Sequence, residues 1–180
     1  ISETNYAARV YGETVTEGDF RASYTVTNFS RYPTKQARTL RLRELTLDGL
    51  VERELLAHEA ERVGFRSDPD DVMREFVETG VIYRNPPVDA PEGYPATQLP
   101  AIDFEGEDGQ FSSKNMRRYI NNHLRRSSEE FTHWQVRERL AVAYGPQAQL
   151  SVQPRQAGGT LAQLRLPLGA TAPLTSSLSS

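Results

Sequence analysis

Between residues 36 and 64 the apolar positions fall into two stripes. One holds Leu40, Leu47, Val51 and Leu55, and the other holds Leu42, Leu45, Leu56, Ala60 and Val63. At about 100° per residue the two lie on nearly opposite sides of a helix. A surface helix needs one apolar face, so two stripes predict a central helix with neighbours on both sides. Val51, Leu55 and Leu56 are expected in the core, with Leu55→Ala costing about 2–5 kcal/mol. Six Arg and six acidic residues lie between positions 38 and 66, a balance that reads as solvated polar faces. Gly64 ends the run.

The same reading places the flanking elements. "YAARV" at 6–10, Tyr11-Gly12 and the following "ETV" read as a small hairpin. Thr16 with Asp19 three residues on has the form of a capping box, and Phe20 and Tyr24 share a face of the helix it opens. Ser67 or Asp68 caps another helix, with Pro69 in its first turn and Gly80 as its stop. Val72, Met73, Phe76 and Val77 form its apolar side. Met116, Tyr119, Ile120 and Leu124 mark a further helix. Ser127 and Glu130 form a second capping box ahead of Phe131, Trp134, Val136, Leu140 and Tyr144. Beyond Gly145-Pro146, "QLSVQ" and "TLAQLRLPL" alternate weakly around Gly158-Gly159 and suggest two short C-terminal strands. The small, polar end of the chain is expected to be disordered. The fold class is therefore mainly α: a helical bundle around a long central helix, with a small β-hairpin near the N-terminus and short C-terminal strands.

Residues 81–111 break this pattern. They hold five of the eleven prolines and six acids against a single basic residue, Arg84. A long acidic loop of this kind is usually functional or mobile. The chain of 180 residues, with 37% hydrophobic content and mean hydropathy −0.60, supports one modest core plus an extension. The expected division is 1–147 for the helical domain and 148–180 for the extension.

A net charge of −3 argues against nucleic acid as the main partner. The pairs Arg117-Arg118 and Arg125-Arg126 read as solvated helix faces. With no cysteine, disulfides, thiolate metal sites and cysteine nucleophiles are excluded. No apolar run is long enough for a membrane span. The chain opens at Ile1 rather than Met, which leaves room for a signal peptide or anchor upstream.

His58, Glu59 and Arg62 spell HExxR within the central helix. A zinc-protease helix needs a second His at the fourth position, and a cation stands there instead. Asp103, Glu105, Glu107 and Asp108 resemble a calcium loop in spacing, but Asp108 and Lys114 stand where an EF-hand needs Gly and Glu. No P-loop, nucleophile elbow or dinucleotide fingerprint occurs. The residues thus predict no catalytic constellation, no metal and no cofactor.

Three blocks carry a resemblance. "ARVYGETVTEGDF", "LTLDGLVERELLAHEAERVGFRSDPDDV" and "DGQFSSKNMRRYINNHLRRSSEEFTHWQVRERL" resemble, in order and spacing, the N-terminal chaperone domain of SurA/PpiD-type periplasmic foldases, a peptidyl-prolyl isomerase family. The resemblance runs from about residue 6 to 142. It implies an ATP-independent holdase of the bacterial periplasm or cell envelope that binds unfolded or nascent exported proteins. Only 38 residues follow Val142 and none resembles a parvulin domain, so isomerase activity is not implied for this chain. The acidic loop is longer than the family leads one to expect, and the family's completing C-terminal helix has no counterpart here. The C-terminal hairpin or a second copy of the chain, as a homodimer, would fill that place. A partly exposed apolar groove would hold clients at about 25 cal/mol per Å² of buried surface. Phe20, Tyr24, Phe29, Tyr119, Phe131 and Trp134 are the candidate groove residues. The alternative is a scaffold domain that keeps the fold and binds one defined partner, with the acidic loop docking a basic surface. A metal enzyme built on that loop is the remaining option.

Overall fold

The computed structural model describes residues 6–29, 32–87, 90, 99, 101–145, 149–154 and 160–165. Strands β1 (Tyr6–Val10) and β2 (Glu13–Thr16) pair antiparallel and run directly into helix α1 (Glu17–Val26). Helices α2 (Thr34–Thr39), α3 (Leu42–Arg62) and α4 (Pro69–Thr79) follow. Helix α5 (Ser113–Arg118) continues as a wider π-helical turn over Tyr119–His123, and α6 (Ser128–Tyr144) completes the helices. Strands β3 (Gln149–Pro154) and β4 (Thr160–Arg165) form a second antiparallel pair. The mainly helical fold with an N-terminal hairpin agrees with the sequence pattern. The turn at Gly158-Gly159 and the polar tail lie outside the described residues, as do residues 91–98 and 100 of the Pro-rich segment.

Local chemistry sets the helix boundaries. Both capping boxes form: Thr16 accepts from the Asp19 N–H at 3.0 Å, and Ser127 accepts from the Glu130 N–H at 3.1 Å. Asp68 caps α4 by accepting from the N–H groups of Asp70 and Asp71, with Pro69 at the first helical position. Gly80 ends α4 with φ +66, and a Cβ there would stand 2.1 Å from the Ile102 carbonyl oxygen. Only glycine allows the 102 segment to dock beside α4, where the Ile102 N–H donates to the Gly80 carbonyl at 3.0 Å. The run from 36 to 64 is not one helix. It breaks at Arg41, which holds φ +51 and gives α3 no side-chain cap, so α2 and α3 are separate elements.

The two stripes of α3 have different fates. Leu42, Leu45, Leu56 and Ala60 are buried, and Leu56, Ala57 and Ala60 pack with Leu140, Ala141 and Tyr144 of α6. Leu47, Val51 and Leu55 are only half-buried, and Leu40 is exposed. This second stripe faces the small hairpin: Leu47 shares a hollow with Ala7, and Tyr11 stacks on His58 at 4.2 Å. A two-stranded hairpin is too small to seal that side. The expectation of full burial thus holds for Leu56 and fails for Val51 and Leu55.

A larger apolar cluster lies at the other end of α6. Phe131 and Trp134 pack there with Ala22 and Val26 of α1, Phe76 of α4, Ile82, Phe104 and Ile120. Between the two clusters α6 buries charge. Arg137 Nε and Arg53 Nε each donate to Glu54 at 2.8 Å, to different oxygens, and Arg53 Nη2 adds a contact of 2.5 Å. Arg137 also reaches Glu61 at the edge, at 2.8 Å. Glu138 accepts from Trp134 Nε1 at 2.9 Å and from the Asn85 N–H at 2.5 Å, with Arg53 Nη1 at 3.6 Å. Arg84 is buried beside them and acts on Glu138 through its charge. Burial pushes the Glu138 carboxyl above the usual carboxylate range, against the pull of Arg53, the Asn85 N–H, Arg84 and Trp134.

The segment 82–87 is part of this assembly. Gln135 accepts from the Tyr83 N–H at 2.8 Å and donates to its carbonyl at 3.2 Å, as a strand neighbour would. On the other side a Cβ on Gly49 of α3 would stand 3.1 Å from the Asn85 carbonyl oxygen. The start of the Pro-rich loop is therefore a buried strap held by α3 and α6. Arg126 also departs from expectation: it is buried, pairs with Asp19 and reaches Glu130 at 3.5 Å, tying α6 to the start of α1.

Glu54→Ala leaves Arg53 and Arg137 without their shared carboxylate and should cost about 3–5 kcal/mol in denaturant unfolding. Combined with Arg137→Met it should cost less than the sum of the two single changes, because the second charge is then no longer stranded. Leu56→Ala should cost about 2–5 kcal/mol, while Leu55→Ala should fall below that range.

Candidate functional site

Helix α1 has two sides. Ala22, Ser23 and Val26 point into the core, and Phe20 and Tyr24, four residues apart, share the half-buried side with ring centroids 5.9 Å apart. The helix ends where Thr27 Oγ1 donates to the carbonyls of Ser23 and Tyr24, at 3.1 and 3.0 Å. Asn28 then adopts φ +57, a conformation that asparagine tolerates better than most residues. The chain turns back and sets Phe29 edge-on to Tyr24 at 5.6 Å. Tyr32 continues the series at 6.3 Å from Phe29.

Four rings thus form a ladder along one edge of the bundle. Helix α2 lies opposite, and none of its residues is buried. Tyr24, Phe29 and Tyr32 line one wall of a groove of about 580 Å³, and Ala37 and Arg38 of α2 with Arg43 of α3 line the other. A hollow of about 390 Å³ extends it past Phe20 to Leu47 and Ala7. Arg43 and Glu44 border both spaces, and the Arg43 guanidinium sits 5.3 Å from the Phe20 ring centroid.

Three of the six aromatic candidates, Phe20, Tyr24 and Phe29, come together here. Tyr119 lies in a separate, more open cleft of about 700 Å³, between Phe104 at 5.7 Å and His123 at 5.0 Å. Phe131 and Trp134 line neither space. They are 0% and 1% exposed, because α6 is enclosed by α1, α3, α4 and the strap, and their rings hold the large cluster together. Tyr32, Arg38 and Arg43 were not singled out by the sequence. Tyr32 sits in a short turn without periodicity, and the arginines read as ordinary solvated charge.

No chemistry gathers at the HExxR helix. Glu59 pairs with Arg62 at 2.6 Å, and His58 is stacked on Tyr11. In the acidic turn, Asp103 accepts from the Glu105 N–H and Asp108 from the Gln110 N–H, so both carboxylates serve the backbone. Among the described residues, no three His, Asp or Glu side chains converge as a metal site would require. No helix among them is long and apolar enough to cross a membrane.

A family model described as "SurA-like N-terminal domain" matches residues 1–120, two thirds of the chain, and the chain belongs to that family. No parvulin domain is found in it. No curated protein and no solved structure matches it. The matched region covers both walls of the aromatic groove and stops before α6.

Burial pushes the Tyr119 phenol from 10.0 up to about 12. The fold favours the neutral phenol, so its contribution to stability is complete below pH 10 and is lost as pH rises towards 12. Phenolate absorbance during alkaline titration should show late-titrating tyrosine that is reduced in Tyr119→Phe. Tyr144, pushed the same way by burial and by Glu59, remains as an internal reference. Stability measured from pH 10 to 12 should fall less steeply in the variant.

Proposed function

We propose that this SurA-like N-terminal domain is an ATP-independent holdase, which binds unfolded segments of exported proteins in the groove between α1, α2 and α3. The observation that carries this reading is the ladder in which Phe20 and Tyr24 are half-buried and Tyr32 is exposed over a buried Phe29, on a domain whose other large aromatics are mostly packed inside. Tyr32, at 42% exposure, is one of the few large apolar side chains on the described surface. Aromatic rings gain contact area at little entropic cost, and their polar tips tolerate water when the groove is empty. Binding of this kind is weak and adaptable, so release needs no nucleotide.

Family membership supports the chaperone role and, with it, residence in the bacterial periplasm or cell envelope. Tyr119 with Phe104 is a secondary contact in this reading. Phe131 and Trp134 act only by holding the groove's scaffold. The functional unit is proposed as residues 1–147, because α6 completes the core on which α1 rests, and 148–180 is an extension to it. No isomerase chemistry is assigned to the chain, and a client replaces the defined partner of a scaffold domain.

The test is aggregation of an unfolded outer-membrane protein, followed by light scattering at stoichiometric ratio. The wild-type protein should delay aggregation. Tyr24→Ala with Tyr32→Ala should lose most of that effect at nearly unchanged melting temperature. Failure of the wild type, or full activity in the double variant, sinks the assignment. Capture of one stable partner and no unfolded polypeptide would instead favour a scaffold role.

A further inference from the structure

The aromatic groove lies in a basic stretch of an acidic chain. Between Asp19 and Glu44 the sequence holds six basic residues, Arg21, Arg31, Lys35, Arg38, Arg41 and Arg43, and no acid, although the whole chain has net charge −3. Arg21 is engaged by Glu17 at 2.7 Å. Lys35, Arg38, Arg41 and Arg43 are exposed, and none forms an ion pair among the described residues. Arg38 and Arg43 line the groove itself, and among the described residues Glu44 is the one acid bordering that part of it.

Several other described arginines do have carboxylates at hand: Arg53 and Arg137 share Glu54, Arg62 has Glu59, Arg126 has Asp19 and Arg139 has Glu75. Arg9, Arg66, Arg117, Arg118 and Arg125 form no ion pair among the described residues either, but they do not border the aromatic groove. Unmatched cations around an aromatic floor attract an anionic partner and repel a basic one. The four rings step at 5.9, 5.6 and 6.3 Å, at most about 18 Å end to end, which about five residues of extended chain would span.

We infer that the groove selects its occupants by charge: it takes an extended polypeptide segment whose apolar or aromatic centre is flanked by Asp and Glu. The apolar centre lies on Phe20, Tyr24 and Tyr32, backed by the buried Phe29, and the flanking carboxylates meet Lys35, Arg38, Arg41 and Arg43. This rests on the client-binding reading and adds a sign to it.

Three fluorescent peptides with one shared aromatic centre test this, their flanks being Asp/Glu, Ser/Gly or Lys/Arg. At low ionic strength the acidic peptide should bind about tenfold tighter than the basic one, from a few exposed charge pairs acting together. The gap should close as salt is raised. Lys35→Glu with Arg38→Glu, both on a helix with no buried residue, should reverse the order while the fold is kept. Equal affinity for acidic and basic peptides, with aggregation still delayed, overturns the charge selection and leaves client binding standing. Absence of binding by all three, together with failure in the aggregation assay, overturns both. Equal binding of an acidic peptide without the aromatic centre also overturns it, since the rings would then play no part. So does loss of discrimination alongside tight binding to anionic vesicles, which would make the basic edge a membrane contact.

Discussion

The interior of this domain depends on Glu54 and Glu138 meeting their cations where water does not reach. A buried carboxylate is costly unless opposite charge and hydrogen-bond donors replace its hydration. Arg53 and Arg137 supply this for Glu54, from α3 itself and from α6. For Glu138 the donors are the Trp134 indole and the Asn85 backbone, with Arg53 and Arg84 acting through charge. Such a network adds little net stability compared with apolar packing, but it penalises alternatives heavily. Sliding α6 by one turn along α3 would strand several charges at once. The network therefore fixes register, and the two apolar clusters on either side of it supply the burial.

That division explains what the sequence disclosed. Caps, stops and the hairpin turn depend on nearest neighbours, and Thr16, Ser127, Asp68 and Gly80 each behave as their local pattern requires. The ion network depends on contacts over tens of residues, such as Arg137 with Glu54. Glu52, Arg53 and Glu54 in a row look like a solvated stripe, and so do Arg125-Arg126. In α6 the apolar pattern is diluted because nearly every side is enclosed, by apolar neighbours at Phe131 and Leu140 and by charge at Arg137 and Glu138. The opposite stripe of α3 reads as core by periodicity, yet a hairpin of two short strands cannot cover it. Periodicity reports which side of a helix faces protein and leaves open how much protein is there.

The groove was half legible for a related reason. Phe20 and Tyr24 share a helix face, so their proximity follows from spacing alone. Phe29 and Tyr32 join them only because Asn28 turns the chain with positive φ, and α2 stands opposite only because the chain breaks at Arg41. Phe131 and Trp134 were equally plausible as groove residues, being aromatic and on an amphipathic pattern. What separates the two groups is the number of elements packed on each: α6 is surrounded, whereas α1 lies at an edge.

Stability and binding are consequently placed in different parts of the molecule. The charges that fix the fold lie between α3, α6 and the 82–87 strap, and the rings proposed to hold clients lie on the outer side of α1 and in the turn that follows it. The two regions are joined through the buried side of α1, where Ala22 and Val26 enter the large cluster, and through the Asp19–Arg126 pair. A surface that must accept many sequences cannot also carry the specific packing that defines the fold, since adaptability and unique packing make opposite demands on side chains. Helix α2 meets the first demand: it buries none of its residues and follows a turn at Pro33. Its displacement by an occupant would disturb neither apolar cluster nor the ion network, so the groove can widen at low cost while the register of α6 on α3 stays fixed.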